Sequence, residues 1–181
     1  MQAAIPSPAF FSLTFQPVNI EPSSSSPLAP GLLRAQRLRF LTDQRPTHAL
    51  TLAFNTTVPP RTVRAVLDDL HAHMDRALFG RRFNAKPLDR RTWFAAFVEH
   101  PDTNTHAHLL VRVTEDRHDA FEALFPGDRG AFWCRWAARG THVLRRIFDA
   151  EGWADYSTKH LRPDGDWITS DEFVPARILA A

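Results

Sequence analysis

Hydrophobic and polar positions alternate clearly from residue 47 onward. His48, Leu50, Leu52 and Phe54 interleave with Ala49, Thr51 and Ala53, the pattern of a strand buried on both faces. Pro59-Pro60 suits the first turn of a helix. Val63, Val66, Leu67, Leu70, Met74, Ala77 and Leu78 then recur at helical spacing, with Gly80 as the stop. Trp93–Glu99 and His106–Val113 read as two strands around a turn-rich hairpin loop, residues 100–105. A helical region is predicted over 117–138, broken near Pro126-Gly127, then a strand over 141–148 and a short helix over 152–161. This order predicts an α+β fold, ferredoxin-like or RRM-like, with a central antiparallel sheet and helices packed mainly on one face.

The ends of the chain lack this patterning. Residues 1–31 hold four consecutive serines among prolines and read as a flexible tail. The domain is placed at 32–165 and a C-terminal extension at 166–181.

Histidine carries the first candidate chemistry. His106 and His108 lie two apart on a predicted strand, so both rings project from one face, while Ala107, Leu109, Val111 and Val113 supply the core on the other. With the loop at 100–105, Glu99 sits opposite His106 and projects to the same side. Two imidazoles and a carboxylate with open positions suit a divalent ion, Mg²⁺ or Mn²⁺, acting on phosphate. A second pair, His71 and His73, lies in the amphipathic helix, where residues two apart diverge by ~200° and cannot share an ion. Both are read as surface residues.

Tyr156 is the only tyrosine, and Lys159 is one of only two lysines. Three apart on a helix, they share a face. An ordinary phenol, with a pKa of ~10, is a poor nucleophile at neutral pH. A nearby ammonium favours the phenolate and can hold a phosphate.

Composition adds limits. The hydrophobic fraction is 44% and the net charge only +2, but 20 of the 22 basic residues are arginine, the better partner for phosphate. Arg81, Arg82, Lys86, Arg90 and Arg91 crowd one stretch and are candidate DNA contacts, with Arg112 and with Trp93 as a base-stacking platform. The single cysteine, Cys134, excludes an internal disulfide and fits a reducing cytoplasm. No secretory signal pattern is evident, and no apolar run approaches the ~18–20 residues that cross a bilayer, so no membrane partner is expected.

Taken together, Thr47-His48-Ala49-Leu50-Thr51-Leu52, Phe97-Val98-Glu99-His100, His106-Ala107-His108-Leu109-Leu110-Val111 and Trp153-Ala154-Asp155-Tyr156-Ser157-Thr158-Lys159 resemble the motifs of the HUH endonuclease superfamily, over about residues 40–165. With the tyrosine after the histidines, the order is similar to rolling-circle replication initiators of bacterial plasmids and phages. The resemblance implies a metal-dependent single-strand DNA nickase that forms a 5′-phosphotyrosine link at an origin or hairpin and leaves a free 3′-hydroxyl. It implies Tyr156 as nucleophile, Lys159 at the phosphate, and His106, His108 and Glu99 as metal ligands. No Gly-x-x-x-x-Gly-Lys-Ser/Thr loop is present, so a host helicase and polymerase are the expected partners. A single-tyrosine transposase of a small insertion sequence and a non-catalytic DNA-binding module on the same fold stand as alternatives.

Overall fold

The computed structural model describes residues 30–158 and 167–173. In chain order the elements are α1 (Pro30–Asp43), β1 (His48–Ala53), α2 (Pro60–Phe79), β2 (Trp93–Glu99), β3 (His106–Arg112), α3 (His118–Glu122), α4 (Ala131–Cys134), β4 (Thr141–Arg146), α5 (Ala150–Thr158) and β5 (Ile168–Thr169), followed by a 3₁₀ turn at Ser170–Phe173. The five strands form one antiparallel sheet in the order β4-β1-β3-β2-β5. The fold is α+β. Its first four strands follow the ferredoxin-like arrangement, in which β3 lies between β1 and β2, and β1 between β3 and β4.

The predicted elements take shape for identifiable reasons. Pro60 starts α2, and Gly80 ends it in a positive-φ conformation (79°), its N–H bonding the Arg76 carbonyl at 2.9 Å. α5 begins earlier than its apolar spacing predicts. Asp149 caps it, Oδ1 accepting the Gly152 N–H at 2.9 Å. The region predicted as one broken helix over 117–138 resolves into α3 and α4. Gly127 turns the chain between them at φ 63°.

One face of the sheet presents Leu50, Leu52, Phe94, Ala96, Ala107, Leu109 and Val111 to Leu67, Leu70 and Met74 of α2, Phe121 of α3 and Trp133 of α4. The other face carries a smaller core of Trp93, Ala95, Phe97 and Leu110. Leu41 of α1 and Ala154 of α5 close it, with Leu38, Trp153 and Trp167 at its margin. Cover on this second face is an addition to the one-sided packing read from the sequence. α1 goes unread there because its apolar residues do not gather into a clear stripe. Beyond residue 165, Ile168 and Thr169 pair with Ala96 and Ala95, and Phe173 packs into the main core.

Two polar groups are buried in ways the sequence reading did not anticipate. His71 is 1% exposed, and its Nε2–H donates to the Thr92 carbonyl at 2.9 Å. It faces inward because α2 presents it to Phe94 of the sheet, the two ring centroids 5.3 Å apart. Arg91, 3% exposed, donates from Nε to the fully buried Asp75 at 2.8 Å. Asp75 also accepts the Thr92 backbone N–H at 3.0 Å. This carboxylate ties α2 to the start of β2, and it removes Arg91 from any nucleic-acid surface. Arg91→Ala leaves a buried carboxylate without its partner and is expected to destabilise the fold by about 3–5 kcal/mol, measured by denaturant unfolding. A loss below about 1 kcal/mol would show the pair to be dispensable.

On the α2 face His48 is fully buried against Phe121 and His118, with Nε2 3.1 Å from Glu122 Oε1. Burial lowers the His48 pKa below its ordinary value, outweighing the hydrogen bond to Glu122 that raises it. The unfolded chain therefore takes up the His48 proton at higher pH than the folded one. Stability present above the ordinary imidazole range is lost as pH falls through it. Thermal unfolding across that range should show a shallower acid limb for His48→Gln than for wild type; equal slopes would contradict this.

Candidate metal centre and tyrosine

The hairpin builds the centre. Glu99 pairs directly with His106, and Phe97 with His108. Thr105 fastens the hairpin's far end. Its hydroxyl accepts the Val58 N–H at 2.8 Å, and its carbonyl accepts the Phe54 N–H at 2.9 Å. The first imidazole of the pair thus follows an anchored residue.

On the face beside α5, ligand atoms of Glu99, His106 and His108 all lie within 4.8 Å of one another. Glu99 Oε2 is 3.2 Å from His108 Nε2 and 3.8 Å from His106 Nε2. The side chains are 14%, 23% and 18% exposed, sheltered yet reachable from solvent. An ion ~2.1 Å from each donor keeps its ligands within about 4.2 Å of one another, a contraction of roughly half an ångström that small side-chain rotations provide. The donor set therefore fits a metal ion: the three residues could hold one.

β1 supplies a residue the sequence reading did not single out for the site. Thr51 pairs with His108 across the β1–β3 ladder, and its hydroxyl lies 3.0 Å from His108 Nδ1. In the metal-free site His108 Nε2–H donates to Glu99 Oε2 at 3.2 Å; with an ion bound, the Thr51 hydroxyl would accept the Nδ1–H instead and leave the Nε2 lone pair for the metal. The signal was present in the alternation of β1, which puts Thr51 on the face opposite Leu50 and Leu52. What the sequence lacked was the β1–β3 register. His48, from the same strand motif, points to the other face.

α5 crosses above this centre. The Tyr156 ring stands edge-on to His108, centroids 6.4 Å apart, and edge-on to Trp153 at 5.9 Å. Tyr156 is 50% exposed. Lys159 lies outside the described residues.

The candidate DNA contacts separate into groups. Arg81, Arg82, Lys86 and Arg90 are exposed, but they precede β2, whose opposite end carries Glu99, so about 20 Å of strand separates them from the centre. Trp93 is 3% exposed, with its indole N–H bonded to Asp171 at 2.7 Å, so it offers no face to a base. The α1 helix and the β5 segment enclose it. Arg112 shares the metal face but sits opposite Trp93, over its ring and bonded to Gln44 at 3.2 Å.

Compared with known proteins, the chain matches no family model, no curated protein and no solved structure. No helix among the described residues is long and apolar enough to cross a membrane.

Calorimetric titration of Mn²⁺ should give one site per chain, lost in Glu99→Gln and His108→Ala. Thr51→Val should weaken it by roughly 10–100-fold, with Thr51→Ser restoring most of the affinity. Unchanged binding in Glu99→Gln would remove this cluster as the metal site.

Proposed function

We propose that the protein is a metal-dependent nickase of single-stranded or hairpin DNA that initiates rolling-circle replication through a tyrosine-linked intermediate. The observation that carries the reading is the half-exposed Tyr156 beside His108 of the Glu99/His106/His108 cluster. A phenol next to a divalent-ion site suits attack on a phosphodiester better than it suits hydrolysis by water.

In this reading Tyr156 Oη attacks the phosphorus and the bond to the 3′-oxygen breaks. The phenol proton passes to solvent and the departing 3′-oxygen takes one up. The products are a 5′-phosphotyrosine and a 3′-hydroxyl end. Glu99, His106 and His108 hold the metal, Mg²⁺ or Mn²⁺, which when bound supplies Lewis-acid polarisation of the phosphate oxygens. Thr51 orients His108. Trp153 packs against the Tyr156 ring and limits its rotation. Lys159 is assigned to the phosphate on its spacing from Tyr156 alone.

The substrate strand is placed on the part of the same sheet face formed by β1 and β4. There Thr51 and Ala53 are partly exposed small residues beside the cluster, and Val143 and Arg145 project from β4 opposite Thr51 and Ala49. A floor of small side chains admits a phosphodiester backbone, and Arg145 is an exposed cation on that face. Arg145 replaces the arginines of the 81–91 stretch as the phosphate contact close to the reaction.

With a pool of single-stranded and hairpin oligonucleotides and Mn²⁺, wild type is expected to form a covalent protein–DNA adduct on a denaturing gel. Tyr156→Phe should abolish the adduct while keeping Mn²⁺ affinity. Arg145→Ala should weaken oligonucleotide binding and reduce its salt dependence by about one phosphate contact. DNA binding without an adduct under any condition would favour the non-catalytic module.

A further inference from the structure

At the end of the sheet remote from the metal cluster, a cleft of about 280 Å³ opens beside the C-terminus of α2. Its floor is Phe79. The Lys86 ammonium stands over that ring at 5.7 Å and the Arg117 guanidinium at 6.0 Å. Arg90 and Thr114 complete the wall. Against three cations the lining offers one anion, Asp116, 3.3 Å from Arg117 Nε. The Thr114 side chain and the neighbouring cations hold the Asp116 carboxyl below its ordinary pKa, so it stays ionised and offsets only one of the three charges.

Solvated basic residues on a surface normally diverge. Here cations from two separate segments, the 86–90 turns and the turn that precedes α3, converge on one aromatic ring. An arginine fork and an ammonium around a concave surface match the oxygens of a phosphate group. An apolar floor strengthens those contacts by excluding water on one side.

We propose that Lys86, Arg90 and Arg117, over Phe79, form a phosphate-binding site separate from the metal cluster. The phosphate comes either from a nucleic-acid backbone or from a small free phosphate compound. The site is too far from Tyr156 to touch a reacting phosphate, and the inference stands independently of the nicking reading.

The test uses the full chain in EDTA, so that no metal at Glu99, His106 and His108 recruits phosphate. Inorganic pyrophosphate and a short single-stranded oligonucleotide are titrated separately by calorimetry. Variants are Lys86→Ala/Arg90→Ala, both exposed positions, and Arg81→Ala/Arg82→Ala, which removes the same charge from the same segment but outside the cleft. Pyrophosphate binding by wild type that weakens about tenfold or more in the first variant and not in the second supports the site. Oligonucleotide affinity that falls in the same variant, with pyrophosphate competing, assigns a backbone phosphate; unchanged oligonucleotide affinity with lost pyrophosphate binding assigns a free phosphate compound. Binding of neither probe, or equal weakening in both variants, overturns the proposal.

Discussion

The register between β1, β3 and β2 is the constraint on which the rest depends. It places Glu99 against His106, and Thr51 against His108, on one side of the sheet. A slip of one residue in either ladder would turn these side chains into the α2 core and expose Leu50 or Leu109 instead. The hydrophobic demand of that core therefore fixes the chemistry on the opposite face. Leu50, Leu52, Leu109 and Val111 are fully or almost fully buried, so the polar set on the reverse side is aligned by burial energy spent elsewhere.

The two faces serve different ends. The α2 face is a packed core whose polar members, His71, Asp75 and Arg91, are locked into hydrogen bonds that join helix to strand. On the opposite face α1 and α5 close a smaller core over Trp93, Ala95, Phe97 and Leu110. Glu99, His106 and His108 are sheltered yet reachable from solvent, which strengthens charge interactions among them. α5 contributes both the buried Ala154 and the half-exposed Tyr156, so packing of one residue positions the other.

Much of this was legible in the sequence because it rests on short periodicities. Strand alternation gives the faces of β1, β2 and β3. The six-residue hairpin loop then pairs Glu99 with His106. What escaped reading depends on contacts distant in sequence. Thr51 gains its role only through pairing with a strand 57 positions away. Arg91 and Trp93 look like surface chemistry in a basic stretch, and they are buried because Asp75 and Asp171 satisfy their donors. His71 looks like part of a solvated helix face, and it is buried because α2 turns it toward Thr92 and Phe94.

The central claim is that Tyr156 becomes covalently joined to DNA beside a metal held by Glu99, His106 and His108. The most direct measurement is peptide mass spectrometry of the protein after reaction with single-stranded DNA and Mn²⁺, followed by nuclease trimming of the attached strand. The account predicts a nucleotide phosphate on the peptide containing Tyr156, and none when EDTA is present. A modified residue other than Tyr156, or an adduct that forms equally in EDTA, would contradict it.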